Sequence, residues 1–67
     1  MIYKVIFEGI ANPVGFVPVE AEKCECGTDI ATTEQYAEFY DAENSLVAKI
    51  PLSPIDRILD AHNVKVF

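Results

Sequence analysis

The sequence predicts a small α+β domain that is mostly β, with about five short strands in an antiparallel sheet and one short C-terminal helix. Apolar and polar residues alternate over residues 2–8, 16–24 and 46–52, which is the period of a β-strand. Residues that favour turns separate these runs. Ser53-Pro54 then gives the signature of a helix start. A chain of 67 residues is long enough for one domain, over residues 1–67.

Residues 2–8 form the first predicted strand, because apolar side chains fill one of its faces and half of the other. That pattern is typical of a central strand. Residues 9–15 are expected to form a connection. Residues 16–24 alternate again, but Pro18 has no amide to donate, so we expect this strand at a sheet edge or at a bulge.

Residues 25–34 are expected to form a loop or an irregular hairpin end, and the segment after them allows two interpretations. In the first, residues 36–41 and 46–52 pair as a β-hairpin. In the second, residues 33–43 form a helix. The hairpin is favoured because aromatic residues suit strands and because residues 41–45 carry turn-forming side chains.

The C-terminal helix is predicted over about residues 53–62. Ser53 is a good N-cap, and Pro54 suits the first helical position. Apolar residues then recur at helical spacing, and the predicted helix ends near a histidine and an asparagine; these residues are Ile55, Ile58, Leu59, His62 and Asn63. Residues 64–67 are expected to form a short terminal strand.

The predicted order of elements is four strands, a short helix and a final strand. This order resembles that of small SH3-like barrels, in which a short helical turn separates the last two strands. The resemblance concerns architecture alone and carries no functional motif.

Composition indicates a protein that covers apolar surface by association. The apolar share is 51%, which is high for 67 residues, and so short a chain buries only about 60% of the surface that it exposes when unfolded. We therefore expect a homodimer or a bound partner. The chain has no apolar run of the ~18 residues that a membrane span needs and no secretory signal pattern, so we expect a cytoplasmic protein without membrane contact.

Negative charge is concentrated in the middle of the chain. The formal net charge is −6, and residues 20–43 carry eight acidic residues and one basic residue. Direct binding of nucleic acid needs a basic surface, so we do not expect it. An acidic surface can instead occupy a basic groove of a protein partner. The simpler interpretation is that these acids keep an apolar-rich domain soluble.

Tyrosines accompany the acids, and tyrosine contributes both contact area and a hydrogen bond at interfaces. The alternative role for these tyrosines is packing within the fold. The predicted partner-binding residues are Glu20, Glu22, Tyr36, Glu38, Tyr40, Asp41 and Glu43.

Cys24, Cys26 and His62 are secondary candidates for a metal site. Cysteines two apart on a strand face the same side, but a structural zinc site needs four ligands, and the usual pairs of Cys-x-x-Cys are absent. No cofactor is expected. No group of residues suggests a nucleophile or a general base, so no catalytic residue is predicted.

The sequence thus predicts a non-enzymatic interaction protein that binds a protein partner through an acidic, tyrosine-bearing face. A small regulator or inhibitor encoded by a mobile element would fit its size. One alternative is a self-assembling structural subunit in which the acids only confer solubility. A second alternative is a metal-binding module that uses the two cysteines and the histidine.

Overall fold

The structure, a computed structural model, describes residues 1–9 and 16–67. Within these residues the chain forms six strands. They are β1 (Ile2–Phe7), β2 (Phe16–Glu20), β3 (Lys23–Thr28), β4 (Gln35–Tyr40), β5 (Leu46–Pro51) and β6 (Ile55–Leu59). Most of the predicted connection, residues 10–15, lies outside the described part of the chain.

The strands build two antiparallel sheets of three strands each. The first, called sheet A here, has the order β2-β1-β6, and the second, sheet B, has the order β3-β4-β5. The predicted mostly-β fold is confirmed. The first predicted strand is central, and the Pro18 strand lies at an edge, as the pattern indicated. Residues 35–52 form the hairpin β4–β5, so the alternative helix over residues 33–43 is wrong.

The core lies between the inner faces of the two sheets. Its largest fully buried side chains are Val5 of β1, Phe39 of β4 and Ile58 of β6. Tyr3 joins them, and its ring meets that of Phe39 edge-on at 5.4 Å between centroids. Partly buried apolar residues pack around this cluster, among them Phe7, Val19, Cys24, Ala48, Ile50 and Phe67.

The predicted C-terminal helix over residues 53–62 is wrong, because residues 55–59 form strand β6. Ile55 and Ile58 are both buried, at a spacing that imitates a helix. The register between β1 and β6 shifts beside Ile6, with Arg57 opposite Ile6 and Ile55 opposite Phe7. This β-bulge adds one residue to β6, so that two core residues three positions apart face the same side.

Ser53-Pro54, expected to begin that helix, instead occupies a tight turn. The amide of Ile55 donates to the carbonyl of Leu52 at 2.9 Å, which closes the turn around the two residues. Ser-Pro is common at turns as well as at helix starts. The turn therefore leads the chain from sheet B into the last strand of sheet A.

Of the two predictions for residues 25–34, the loop is wrong and the irregular hairpin end is found, because the segment joins β3 to β4 and the amide of Asp29 donates to the carbonyl of Glu34 at 2.8 Å. Residues 23–28 form β3, which pairs with β4 along its whole length. Residues 16–24 are accordingly not one strand, because β2 ends at Glu20 and β3 begins at Lys23. The predicted terminal strand over residues 64–67 is not formed as a strand; the segment returns beside β6, and Lys65 forms an isolated bridge with Leu59. No helix of the described residues is long and apolar enough to cross a membrane.

Candidate functional site

The outer face of sheet B carries the predicted tyrosines. Ala37 and Phe39 of β4 are fully buried, so their neighbours along the strand point away from the core. Strand register then places three residues side by side in each of three rows. We call this surface the tyrosine face; its rows are Lys23, Tyr40 and Leu46, then Glu25, Glu38 and Lys49, then Gly27, Tyr36 and Pro51.

Tyr36 is held flat against its two neighbouring strands. The ammonium of Lys49 lies 4.1 Å from the centroid of its ring, within the range of a cation–π interaction. On the other side the ring lies over Gly27, where a Cβ atom would meet the ring at 3.5 Å. The absent side chain of Gly27 thus makes room for an aromatic surface to cover β3.

Tyr40 is positioned in a similar way at the other end of the face. The ammonium of Lys23 lies 5.0 Å from the centroid of its ring, and the same ammonium forms an ion pair with Glu25 at 3.5 Å. Desolvation raises the pKa of the Tyr40 hydroxyl, and the adjacent negative charge of Glu38 raises it further. The hydroxyl of Tyr40 is therefore protonated at neutral pH and lies beside the carboxylate of Glu38.

The centre of the tyrosine face is electrically balanced. Two lysines and two glutamates contribute equal and opposite charge, and Glu38 lies directly opposite Lys49. The unbalanced acids lie around the face, in the loops and turns at the ends of its strands. They are Glu22, Asp29, Glu34, Asp41 and Glu43. The tyrosine face therefore has a tyrosine in each outer row, a charged row between them and an acidic rim around them.

Asp41, one of the predicted binding residues, is committed to its own turn. Its Oδ1 accepts hydrogen bonds from the amides of Glu43 and Ser45, both at 2.9 Å. Asn44 follows in the left-handed conformation with φ of 66°. The carboxylate of Asp41 therefore shapes the β4–β5 turn, while Glu43 is exposed beside it.

Glu20 and Glu22 separate from the other acids. Glu20 ends β2 and lies opposite Ile2 on the outer face of sheet A. Glu22 lies in the two-residue connection from β2 of sheet A to β3 of sheet B. Its amide donates to the carbonyl of Tyr40 at 2.7 Å, and its carboxylate lies 3.8 Å from the amino group of Met1. The structure thus brings Tyr36, Glu38 and Tyr40 together, with Glu22 at their border, and leaves Glu20 on the other sheet.

The outer face of sheet A offers a useful comparison. Phe16 of β2 is 37% exposed there, and the ammonium of Lys4 lies 5.5 Å from its ring centroid. Lys4 also donates to Oδ1 of Asn63 at 2.8 Å. This face therefore contains an exposed aromatic ring beneath a lysine, but among the described residues it carries no tyrosine hydroxyl.

The metal-site candidates do not converge. Cys24 and Cys26 lie on β3, half-buried and exposed respectively, and burial together with the neighbouring Cys26 raises the pKa of Cys24 to about 12. His62 lies in the turn after β6, where its amide donates to Asp60 at 2.8 Å. Among residues 1–9 and 16–67 no group of three or more histidine, cysteine or acidic side chains has the geometry to hold a metal ion.

Sequence reasoning missed several members of the tyrosine face, namely Lys23, Glu25, Gly27, Leu46, Lys49 and Pro51. Alternation along β5 was recognised and could have placed Lys49 beside Tyr36 and Glu38. The contribution of β3 could not be found in the same way, because Cys-Glu-Cys-Gly-Thr combines few strand-forming residues with a glycine.

The described residues enclose no detected pocket, and the candidate site is an open sheet surface. No family model, no curated protein and no solved structure matches the chain.

Proposed function

We propose that the protein binds another protein through the tyrosine face and that it is not an enzyme. The observation that carries the proposal is the arrangement of Tyr36 and Tyr40, two partly exposed rings on one strand, each beneath a lysine ammonium at 4.1 Å and 5.0 Å. These rings are already ordered before a partner arrives, so little conformational entropy is lost on binding. Tyrosines held in this way are typical centres of binding energy.

Charge determines which partner this surface suits. The two lysines and two glutamates at the centre of the face have no net charge, so a partner that covers them does not bury an unpaired charge. The acidic rim attracts a basic partner over distances of about 10 Å at moderate salt. We therefore propose a partner with an apolar or aromatic contact patch that is bordered by lysines or arginines. A small regulator or inhibitor would act in this way by covering the functional surface of its target.

We propose further that the fold is a small SH3-like barrel. Two three-stranded sheets enclose one core, and the chain passes from β2 into β3 through only Ala21 and Glu22. A tight turn over residues 52–55 precedes the last strand, in the place where such barrels have a helical turn. The free thiols of Cys24 and Cys26 are compatible with the expected cytoplasmic location.

Affinity purification from a lysate of the source cell tests the binding proposal. Baits carrying Tyr36→Ala or Tyr40→Ala are compared with the native protein and with Phe16→Ala, which removes an aromatic ring beneath a lysine on the other sheet. We expect a partner that is retained by the native and Phe16→Ala baits and is depleted at least about tenfold by either tyrosine variant. Equal recovery by all four baits would reject the tyrosine face as the binding site.

A further inference from the structure

The exposed edges of the two sheets differ in whether another strand can pair with them. The amide of Ala21 donates to Met1 at 2.9 Å and the amide of Leu52 donates to Gln35 at 2.9 Å. These two amides point inward, toward the paired strand. Amides alternate in direction along an antiparallel strand, so residues an odd number of positions away in β2 and in the regular part of β5 direct their amide positions outward, away from the sheet. Pro18 of β2 and Pro51 of β5 occupy such outward positions.

A proline at an outward position removes the donor that an added strand would need, which is a common protection of sheet edges. Strand β5 carries a second protection, because its register shifts at Val47 and leaves a bulge there. The remaining edge of sheet A is the short return at Lys65 beside β6.

Strand β3 has the one long edge without such protection in the described part of the chain. The amide of Asp29 donates inward to Glu34 at 2.8 Å, so alternation directs the amides of Cys26 and Thr28 outward. Neither residue is a proline, and both are exposed. The outward amide of Cys24 differs from them, because it lies against the hydroxyl of Tyr3.

We propose that a second copy of this chain pairs with the β3 edge in an antiparallel arrangement centred on Cys26. This arrangement forms a symmetric dimer whose six strands, from β5 through β3 to β5 of the second copy, make one continuous sheet. The proposal does not require the tyrosine face to bind a partner, because the pairing uses backbone groups at the edge of that sheet, although its register also uses the side chain of Lys23.

Charge selects this register over its neighbours. Pairing centred on Cys26 sets Lys23 opposite Asp29 of the second copy, which gives two attractive pairs by symmetry. Pairing centred on Glu25 would set the two Glu25 side chains directly against each other. Pairing centred on Gly27 would set Glu25 against Asp29 of the second copy.

Sedimentation velocity of the reduced full chain over a range of concentrations tests the proposal. We expect a reversible dimer in the native protein. Cys26→Pro removes an outward donor from each copy without breaking the β3–β4 ladder, so the dissociation constant should rise at least about tenfold. Glu20→Pro is the matched control, because it places a proline at an outward position of the β2 edge and should leave the dimer unchanged.

Oxidation by diamide then tests the register. The two Cys26 thiols lose two protons and two electrons to diamide, which becomes the corresponding hydrazine, and a disulfide joins the copies. Directly opposed residues lie about 5.5 Å apart between Cα atoms, within the range of a disulfide. We expect covalent dimer in the native protein and in Cys24→Ser, but not in Cys26→Ser.

Circular dichroism of each variant establishes that it is folded before it is compared. A native chain that stays monomeric at all concentrations would overturn the proposal, as would a dimer that survives Cys26→Pro or is lost equally with Glu20→Pro. A disulfide that requires Cys24 would overturn the register.

Discussion

Ile55 and Ile58 lie on the same side of β6 although three positions separate them, and their side chains are 3% and 0% exposed. The extra residue that the β-bulge inserts into β6, opposite the step from Ile6 to Phe7 of β1, produces this relationship. Strand β6 therefore directs both isoleucines into the core, which a regular strand could not do at a spacing of three. This helps so small a domain to bury enough apolar surface.

Shortening Ile58 should destabilise the fold. Ile58→Val deletes one methyl group from a fully buried side chain, so we expect a loss of about 1 kcal/mol in the free energy of unfolding. Ile30→Val is the matched control because Ile30 is 94% exposed. Urea denaturation followed by tyrosine fluorescence measures both values, and similar losses in the two variants would contradict the assignment of the core.

The β4–β5 turn should depend on the carboxylate of Asp41. Asp41→Ala removes the acceptor of two amides at 2.9 Å, and we expect a loss of about 1–2 kcal/mol in unfolding free energy. Glu43→Ala alters the neighbouring exposed acid without touching those bonds. If thermal denaturation showed Glu43→Ala to be as damaging as Asp41→Ala, the turn assignment would be wrong.

Asp60 should link stability to acid pH. Hydrogen bonds from the amides of Val64 and His62 lower the pKa of Asp60, against an opposing effect of desolvation. The ionised carboxylate therefore stabilises the fold above its ordinary pKa of about 3.9, and this contribution is lost as the pH falls through the lower pKa of the folded state.

Asp60→Asn keeps an oxygen acceptor but cannot ionise. We expect this variant to be less stable than the native protein at neutral pH, and we expect the difference to shrink as the pH is lowered through the acid range. Melting temperatures measured at a series of pH values test this, and a difference that does not change with pH would contradict it.

Glu38 and Tyr40 should influence each other on the tyrosine face. Because Glu38 contributes to the raised pKa of Tyr40, Glu38→Gln should move that pKa back toward about 10, although desolvation keeps part of the shift. Ultraviolet titration of the phenolate in a chain that carries Tyr3→Phe and Tyr36→Phe isolates this hydroxyl. Glu20→Gln should leave the titration unchanged, because Glu20 lies on sheet A.

The two thiols should differ in reactivity. The pKa of Cys24 is raised to about 12 by burial and by the adjacent Cys26, so little of it is thiolate near pH 8. We expect iodoacetamide to modify the exposed Cys26 first, as read by tandem mass spectrometry of the tryptic peptide that contains both thiols. Equal rates at the two positions, or faster modification of Cys24, would show that β3 does not hold Cys24 against the core.

Much of the β structure follows from the sequence, because alternation in residues 2–8 and 46–52 reports strands that bury one face. Residues 55–59 were predicted to be helical for a physical reason. A bulge converts the period of two into a spacing of three, and this imitates the spacing of a helix when a capping residue and a proline precede it.

A repeated turn was also present in the sequence and was missed. Asp41-Ala-Glu-Asn44 and Asp60-Ala-His-Asn63 differ at one position. In both, the aspartate Oδ1 accepts two amides and the asparagine adopts a positive φ, of 66° and 61° respectively. Recognition of the second copy of this turn would have identified a hairpin where a helix end was predicted.

The candidate site was predictable in its centre but not in its extent. Alternation along one strand places Tyr36, Glu38 and Tyr40 together, since residues two apart share a face. Whether Glu20 joins them depends on which sheet β2 enters, and pairing between strands distant in sequence cannot be derived from local pattern.

Site-specific photocrosslinking tests the central claim most directly. A benzoylphenylalanine replaces Leu46, which is 51% exposed on the tyrosine face, in one protein and Phe16 in another, and each is irradiated in a lysate of the source cell. The tyrosine face as a binding surface predicts a covalent adduct with one other protein from position 46 and none from position 16. An adduct from position 16 alone, or the same adducts from both positions, would contradict it.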